Sequence, residues 1–301
     1  MEKQWGPLVE GFLKKVGRTA EMLRDSTKLD FHGMKLDDQQ DCKAIAALIL
    51  RGSLQEVEHL LLQQNSITHE GIEALTSALA IRPLDKLTSL DLSGNLISDA
   101  GMRRLSKVIS AGSLGALQEL NASATQFGDE GMKAFSQAIA RGSLGSLNTL
   151  LFANNHIGNA GVKAFSEACS TANANGSTVN LFSLHLSYNE VADAGMTALS
   201  EAVKSGSLAS INELFLQHNI IGDIGLRALC DATAAAPLLW FTTLDLNGNQ
   251  VGDVGMSLFA KSVAGGSLPS LKLANLNTNP GSATPVKKAL SEQDRKRTKK
   301  R

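Results

Sequence analysis

Between Leu87 and Gly101 the chain reads LTSLDLSGNLISDAG, apolar at Leu87, Leu90 and Leu92 with polar or small residues between, then Asn95, Ile97 and Gly101. The leucines keep one face of a short strand. Met102, Leu105, Val108 and Ile109 follow at three- and four-residue spacing, which predicts a helix with one apolar side. This unit recurs along the chain. Leu60, Leu90, Leu120, Leu150, Leu184, Leu214 and Leu244 occupy one slot, Ala274 takes it in a last copy, and the intervals are 30, 30, 30, 34, 30, 30 and 30 residues. Leu29 to Asp41, LDFHGMKLDDQQD, aligns as a degenerate first copy with Met34 in the asparagine slot and Gln40 in the glycine slot.

The form LxxLxLxxNxI at a period near 30, over roughly residues 29 to 281, resembles the leucine-rich repeat, and the strand plus full helix resembles its ribonuclease-inhibitor-like class. The resemblance implies an α/β fold, a leucine-rich repeat solenoid shaped as an open right-handed horseshoe. The parallel sheet would be concave and the helices convex. A closed barrel is the competing topology, but the fifth strand position holds Leu61, Asp91, Asn121, Leu151, His185, Phe215, Asp245 and Asn275, too polar for a buried layer. In this family the asparagine side chains bond neighbouring backbone in the turn. Asn65, Asn95, Asn155, Asn189, Asn219, Asn249 and Asn279 form that series, and Thr125 interrupts it at a cost of about 1 kcal/mol unless its hydroxyl or a water substitutes. Asp99, Asp129, Asp193, Asp223 and Asp253 precede the repeat glycine, near the positive end of the helix dipole. TANANGST, residues 171 to 178, supplies the 4 extra residues of the long interval as a polar loop.

The ends differ from the body. Trp5, Leu8, Val9, Phe12, Leu13, Val16, Ala20 and Leu23 form a helical apolar stripe, so residues 1–28 are expected to be a capping helix that covers the first repeat. Glu2, Glu10, Glu21 and Asp25 argue against an acid-poor targeting peptide. The repeat domain of about eight to nine copies spans 29–286, and 287–301 is a basic tail. That tail holds 8 basic and 2 acidic residues, a charge of +6, which leaves the preceding body near −6 although the whole chain is neutral. Its last residues, QDRKRTKKR, pack Arg295, Lys296, Arg297, Lys299, Lys300 and Arg301 into seven positions. Such a block repels itself and is expected to be disordered when free, available for nuclear import, nucleic acid or an acidic protein surface.

Three cysteines, Cys42, Cys169 and Cys230, lack framework spacing, and no apolar run is long enough to span a bilayer. The expectation is a reduced, intracellular protein, cytoplasmic or nuclear. In the resembled architecture, binding uses strand positions between and just after the leucines. Leu151, His185 and Phe215 stand on consecutive rungs at position five, and Tyr188 and His218 on adjacent rungs at position eight. With rungs about 5 Å apart these five residues form one candidate partner-binding patch. The histidines with Glu213 are too dispersed for a metal site, and no phosphate loop, activated nucleophile or zinc motif is present. No cofactor or small-molecule substrate is expected. The reading is a non-enzymatic interaction scaffold with a protein partner on the concave sheet and an electrostatic tail. Two alternatives stand beside it: a GTPase activator similar to the Ran GTPase-activating proteins, and a structural subunit of a ribonucleoprotein or other large assembly. The repeats are also similar to those of NOD-like receptors.

Overall fold

The computed structural model describes residues 6–298, and the chain divides into two compact units, Met1–Leu147 and Asn148–Arg301. In a repeat array each unit packs only on its neighbours, so compactness is a local property.

The first unit opens with helices α1 (Pro7–Val16) and α2 (Ala20–Arg24). Strands β1 (Lys28–Asp30), β2 (His59–Leu61), β3 (Ser89–Asp91) and β4 (Glu119–Asn121) pair in parallel and in chain order. Between and after them lie α3 (Lys43–Leu50, entered through a π-helical turn at Asp38–Cys42), α4 (His69–Ile81), α5 (Ser98–Ser110) and α6 (Asp129–Ala140). The second unit repeats the plan. Strands β5 (Thr149–Leu151), β6 (Ser183–His185), β7 (Glu213–Phe215), β8 (Thr243–Asp245) and β9 (Leu273–Asn275) are again parallel and sequential. They alternate with α7 (Asn159–Ala174), α8 (Asp193–Lys204), α9 (Asp223–Ala235), α10 (Asp253–Gly265) and α11 (Thr284–Thr298).

The core lies between sheet and helices. In one repeat Leu87, Leu90, Leu92 and Ile97 from the strand side meet Met102, Leu105, Val108 and Ile109 of α5, all buried. Each such side chain contributes roughly 1.5–3 kcal/mol when fully buried. The degenerate first copy is a genuine rung, since Leu29 pairs with Leu60 and the Asn65 amide donates to Phe31 O at 2.9 Å.

The asparagines join successive turns. Asn219 donates to Leu216 O of its own repeat and Leu186 O of the preceding one, while its oxygen accepts from Val191 N at 2.9 Å. At Thr125 the hydroxyl takes over one of these bonds, donating to Ala122 O at 2.7 Å, and the Thr125 carbonyl accepts from Ser98 N at 2.9 Å. The expected deficit there is therefore met locally, with Ser98 and Gln126 turned to positive φ.

The aspartates do more than face a dipole. Gly252 stands at the N-cap of α10 with no side chain to cap it, and Asp223 of the preceding repeat accepts from Gly252 N at 2.7 Å and Gly255 N at 3.0 Å. Asp193 serves α9 in the same way, and Asn159, in an aspartate slot, serves α8. A Cβ on Gly255 would lie 2.4 Å from the Asp223 carboxylate, so the repeat glycine is what lets the carboxylate in.

At the N-terminal side, α1 buries Val9, Phe12, Leu13 and Val16, with the Phe12 ring edge-on to Phe31 at 5.4 Å. Lys15 pairs with the buried Asp41 at 2.5 Å. Trp5 and Glu2 of the predicted cap lie outside the described residues.

The C-terminal end departs from expectation. Residues 284–298 form α11, which packs on α10 and buries Val286 and Ala289. A last repeat leaves an apolar edge and unmet carbonyls, and that demand outweighs the self-repulsion of the basic block. Gln293 donates to Leu268 O at 2.8 Å, and the Arg297 guanidinium donates to Pro269 O, Leu271 O and Asp294.

Candidate functional site

The strand face of the second unit is built rung by rung. Register pairs Leu151 with His185, His185 with Phe215, and Phe215 with Asp245. The His185 and Phe215 rings stack with centroids 4.2 Å apart and planes 25° apart. Leu151, His185 and Phe215 are all half-buried. Three residues further on, in the turn slot before each ladder asparagine, Tyr188 stacks on His218 at 4.3 Å and 21°.

That turn slot is left-handed in the repeats. Gln64, Gly94, Ala124, Asn154, Tyr188, His218, Gly248 and Thr278 all hold positive φ there, Tyr188 at 53° and His218 at 56°. Bulky residues avoid this region at a cost of about 1–3 kcal/mol. The asparagine bonds on either side hold the turn regardless of its occupant, so the slot accepts an aromatic where the backbone alone favours glycine. The His218 ring lies over Gly248, where a Cβ would stand 2.6 Å from Nδ1. Tyr188, 53% exposed, forms the outer end of this stack.

Ser183 and Glu213 belong to the same face. The Ser183 hydroxyl donates to Glu213 Oε2 at 3.1 Å and lies 3.0 Å from His185 Nε2. One hydroxyl proton cannot serve both, so His185 donates through Nε2–H and its Nδ1 keeps a lone pair. Burial pushes the His185 pKa below its ordinary value against a smaller upward pull from Glu213. This order, histidine to serine to carboxylate, is the reverse of an activated serine, in which the imidazole accepts the hydroxyl proton.

Among the described residues no group of three or more His, Cys, Asp or Glu could hold a metal, and no helix is long and apolar enough to cross a membrane. All three thiols are buried and unpaired. Burial raises the Cys42 pKa and pushes those of Cys169 and Cys230 up to about 12 and 11.

The five residues predicted for the patch thus come together as one strand-face row and one turn stack. The basic residues divide: Arg295 and Lys296 are exposed on the last turn of α11, Arg297 is committed to backbone carbonyls, and Lys299, Lys300 and Arg301 lie outside the described residues. Sequence reasoning placed Asp245 at the fifth strand position without counting it in the patch, and it passed over Ser183 and Gly248. The 30-residue period places all three in rows with the named residues, and that is the signal that could have found them.

Five segments, 86–106, 146–166, 180–200, 207–230 and 239–260, match the family model of the leucine-rich repeat. The chain is a leucine-rich repeat protein. Among solved structures this leucine-rich repeat protein is similar to internalin C2 of Listeria monocytogenes, at 21% identity and a TM-score of 0.52 over 90% of this chain and 92% of that one. At that identity the likeness concerns the fold. Comparison with curated proteins gives no match.

Proposed function

We propose that this chain is a non-enzymatic protein-binding module of the ribonuclease-inhibitor-like class, holding a protein partner on the strand face of its second unit through Leu151, His185, Tyr188, Phe215 and His218. The observation that supports this most is the pair of ring stacks on adjacent rungs. Their rings are rigid and half-buried or exposed, and they hold one another in place, so a partner meets them with little ordering left to do. The full helix in each repeat supports the class. The three buried, unpaired thiols suit a reducing, intracellular setting.

The repeats themselves supply clean test substitutions. Glycine holds Tyr188's slot at Gly94 and Gly248, and asparagine holds Phe215's slot at Asn121 and Asn275. Tyr188→Gly and Phe215→Asn therefore strip the patch without changing the turn or strand. In quantitative affinity capture, partners of the intact protein should be lost from the double variant and retained by Glu201→Ala on α8. Equal capture by all three would place the partner on another surface.

A further inference from the structure

The strand face of the second unit has a chemistry that limits what it can hold. Its five rungs present four positions each: Thr149, Leu151, Ala153 and Asn154 on the first, and the equivalents up to Leu273, Asn275, Asn277 and Thr278 on the last. These positions hold Glu213 and Asp245 and no lysine or arginine. Lys287 of α11 reaches only Asn277, on the last rung, at 3.4 Å.

Both carboxylates flank Phe215. Glu213 lies two residues before it on the same face of β7, and Asp245 is its register partner on β8. His185 covers Phe215 from the β6 side, which leaves the side toward Asp245 without an aromatic neighbour. The two acids are held in place. Glu213 accepts from Ser183, while Asp245 accepts from Asn247 N at 2.9 Å and from the Asn275 amide at 3.0 Å. Each carboxylate still has lone pairs to offer. A ring with one face taken, set between two anchored carboxylates, suits a planar cation that can stack and pair at once.

We infer that the partner docks on this face by presenting arginine side chains, with a guanidinium laid over Phe215 between Glu213 and Asp245. The inference rests on the docking reading above and adds the chemistry of its occupant. A lysine would find the same charge but has no plane to stack, and an acidic segment would meet two like charges.

The test uses the full chain and a labelled, extended peptide with arginine at alternate positions, titrated by fluorescence anisotropy beside peptides in which lysine, glutamate or the neutral isostere citrulline replaces each arginine. The arginine peptide should bind about tenfold more tightly than the citrulline one and more tightly than the lysine one. Glu213→Gln, Asp245→Asn and Phe215→Asn should each weaken it by about three- to tenfold. These variants keep the fold, because glutamine still accepts from Ser183 and asparagine in the slot of Asp245 bonds the turn as Asn121 bonds Ser123 N at 3.1 Å. Citrulline and arginine peptides of equal affinity, or unchanged affinity in all three variants, would overturn the inference. If captured partners are lost with Tyr188→Gly and Phe215→Asn but persist with Glu213→Gln and Asp245→Asn, docking on this face stands and the cationic occupant is wrong.

Discussion

Replacing Asp223 tests whether the repeats are joined by carboxylates that cap the next helix. Its Oδ1 accepts from Gly252 N at 2.7 Å and Gly255 N at 3.0 Å, the first-turn donors of α10. Bonds to a charged acceptor contribute roughly 1.5–3 kcal/mol each, but these donors are only part-buried and water replaces some of the loss. Losing a capping side chain typically costs about 0.5–2 kcal/mol, so Asp223→Ala should destabilise by about 2 kcal/mol. Asp223→Asn should cost about 0.5 kcal/mol, the charge–dipole part alone, because Asn159 already makes the equivalent pair of bonds at 2.9 and 2.7 Å. Gly255→Ala inserts a Cβ 2.4 Å from the carboxylate and should cost at least as much as Asp223→Ala. Combined, the two should cost clearly less than their sum, since both remove the same bonds. Urea unfolding followed by circular dichroism at neutral pH measures all four, with exposed Asp231→Ala as the control near zero. An alanine variant no worse than the asparagine one, or strict additivity of the pair, would refute the capping account.

Stability should depend on pH through His185. Burial lowers its folded pKa below 6.5, so as pH falls through that value the unfolded chain binds a proton before the folded one does; stability is complete above this range and lost as pH falls toward the folded pKa. The stability difference between the protein and His185→Gln should narrow from pH 8 to pH 5 in urea titrations, and a flat or widening difference would remove the claim. At the C-terminal end, Arg297→Ala should cost about 1–2 kcal/mol, because its guanidinium serves the Pro269 and Leu271 carbonyls, while Arg295→Ala and Lys296→Ala should stay within about 0.5 kcal/mol. Equal effects in thermal unfolding would show that α11 gains nothing from that contact.

The repeat was legible because a period of 30 residues ties every rung to the same slot, and one buried face per strand leaves no freedom of register. Leu60, Leu90 and Leu120 therefore pair as the spacing predicts, and the asparagine series falls in the turns. That Leu151, His185 and Phe215, and likewise Tyr188 and His218, are neighbours was legible for the same reason: residues five and eight of successive copies must be adjacent. What the spacing could not supply was orientation. The stacking of Tyr188 on His218 needs a left-handed turn held by two asparagines and a bare Gly248 beneath it, and the tautomer of His185 depends on Ser183 directing its hydroxyl hydrogen bond to Glu213. The carboxylate of Asp223 looked like a charge for its own helix, yet only packing showed that it caps the next. The basic end shows the limit most plainly. Composition predicts repulsion and disorder, but the exposed end of an array offers apolar surface and unmet carbonyls, and α11 folds over them because the tertiary structure, not the local sequence, sets that demand.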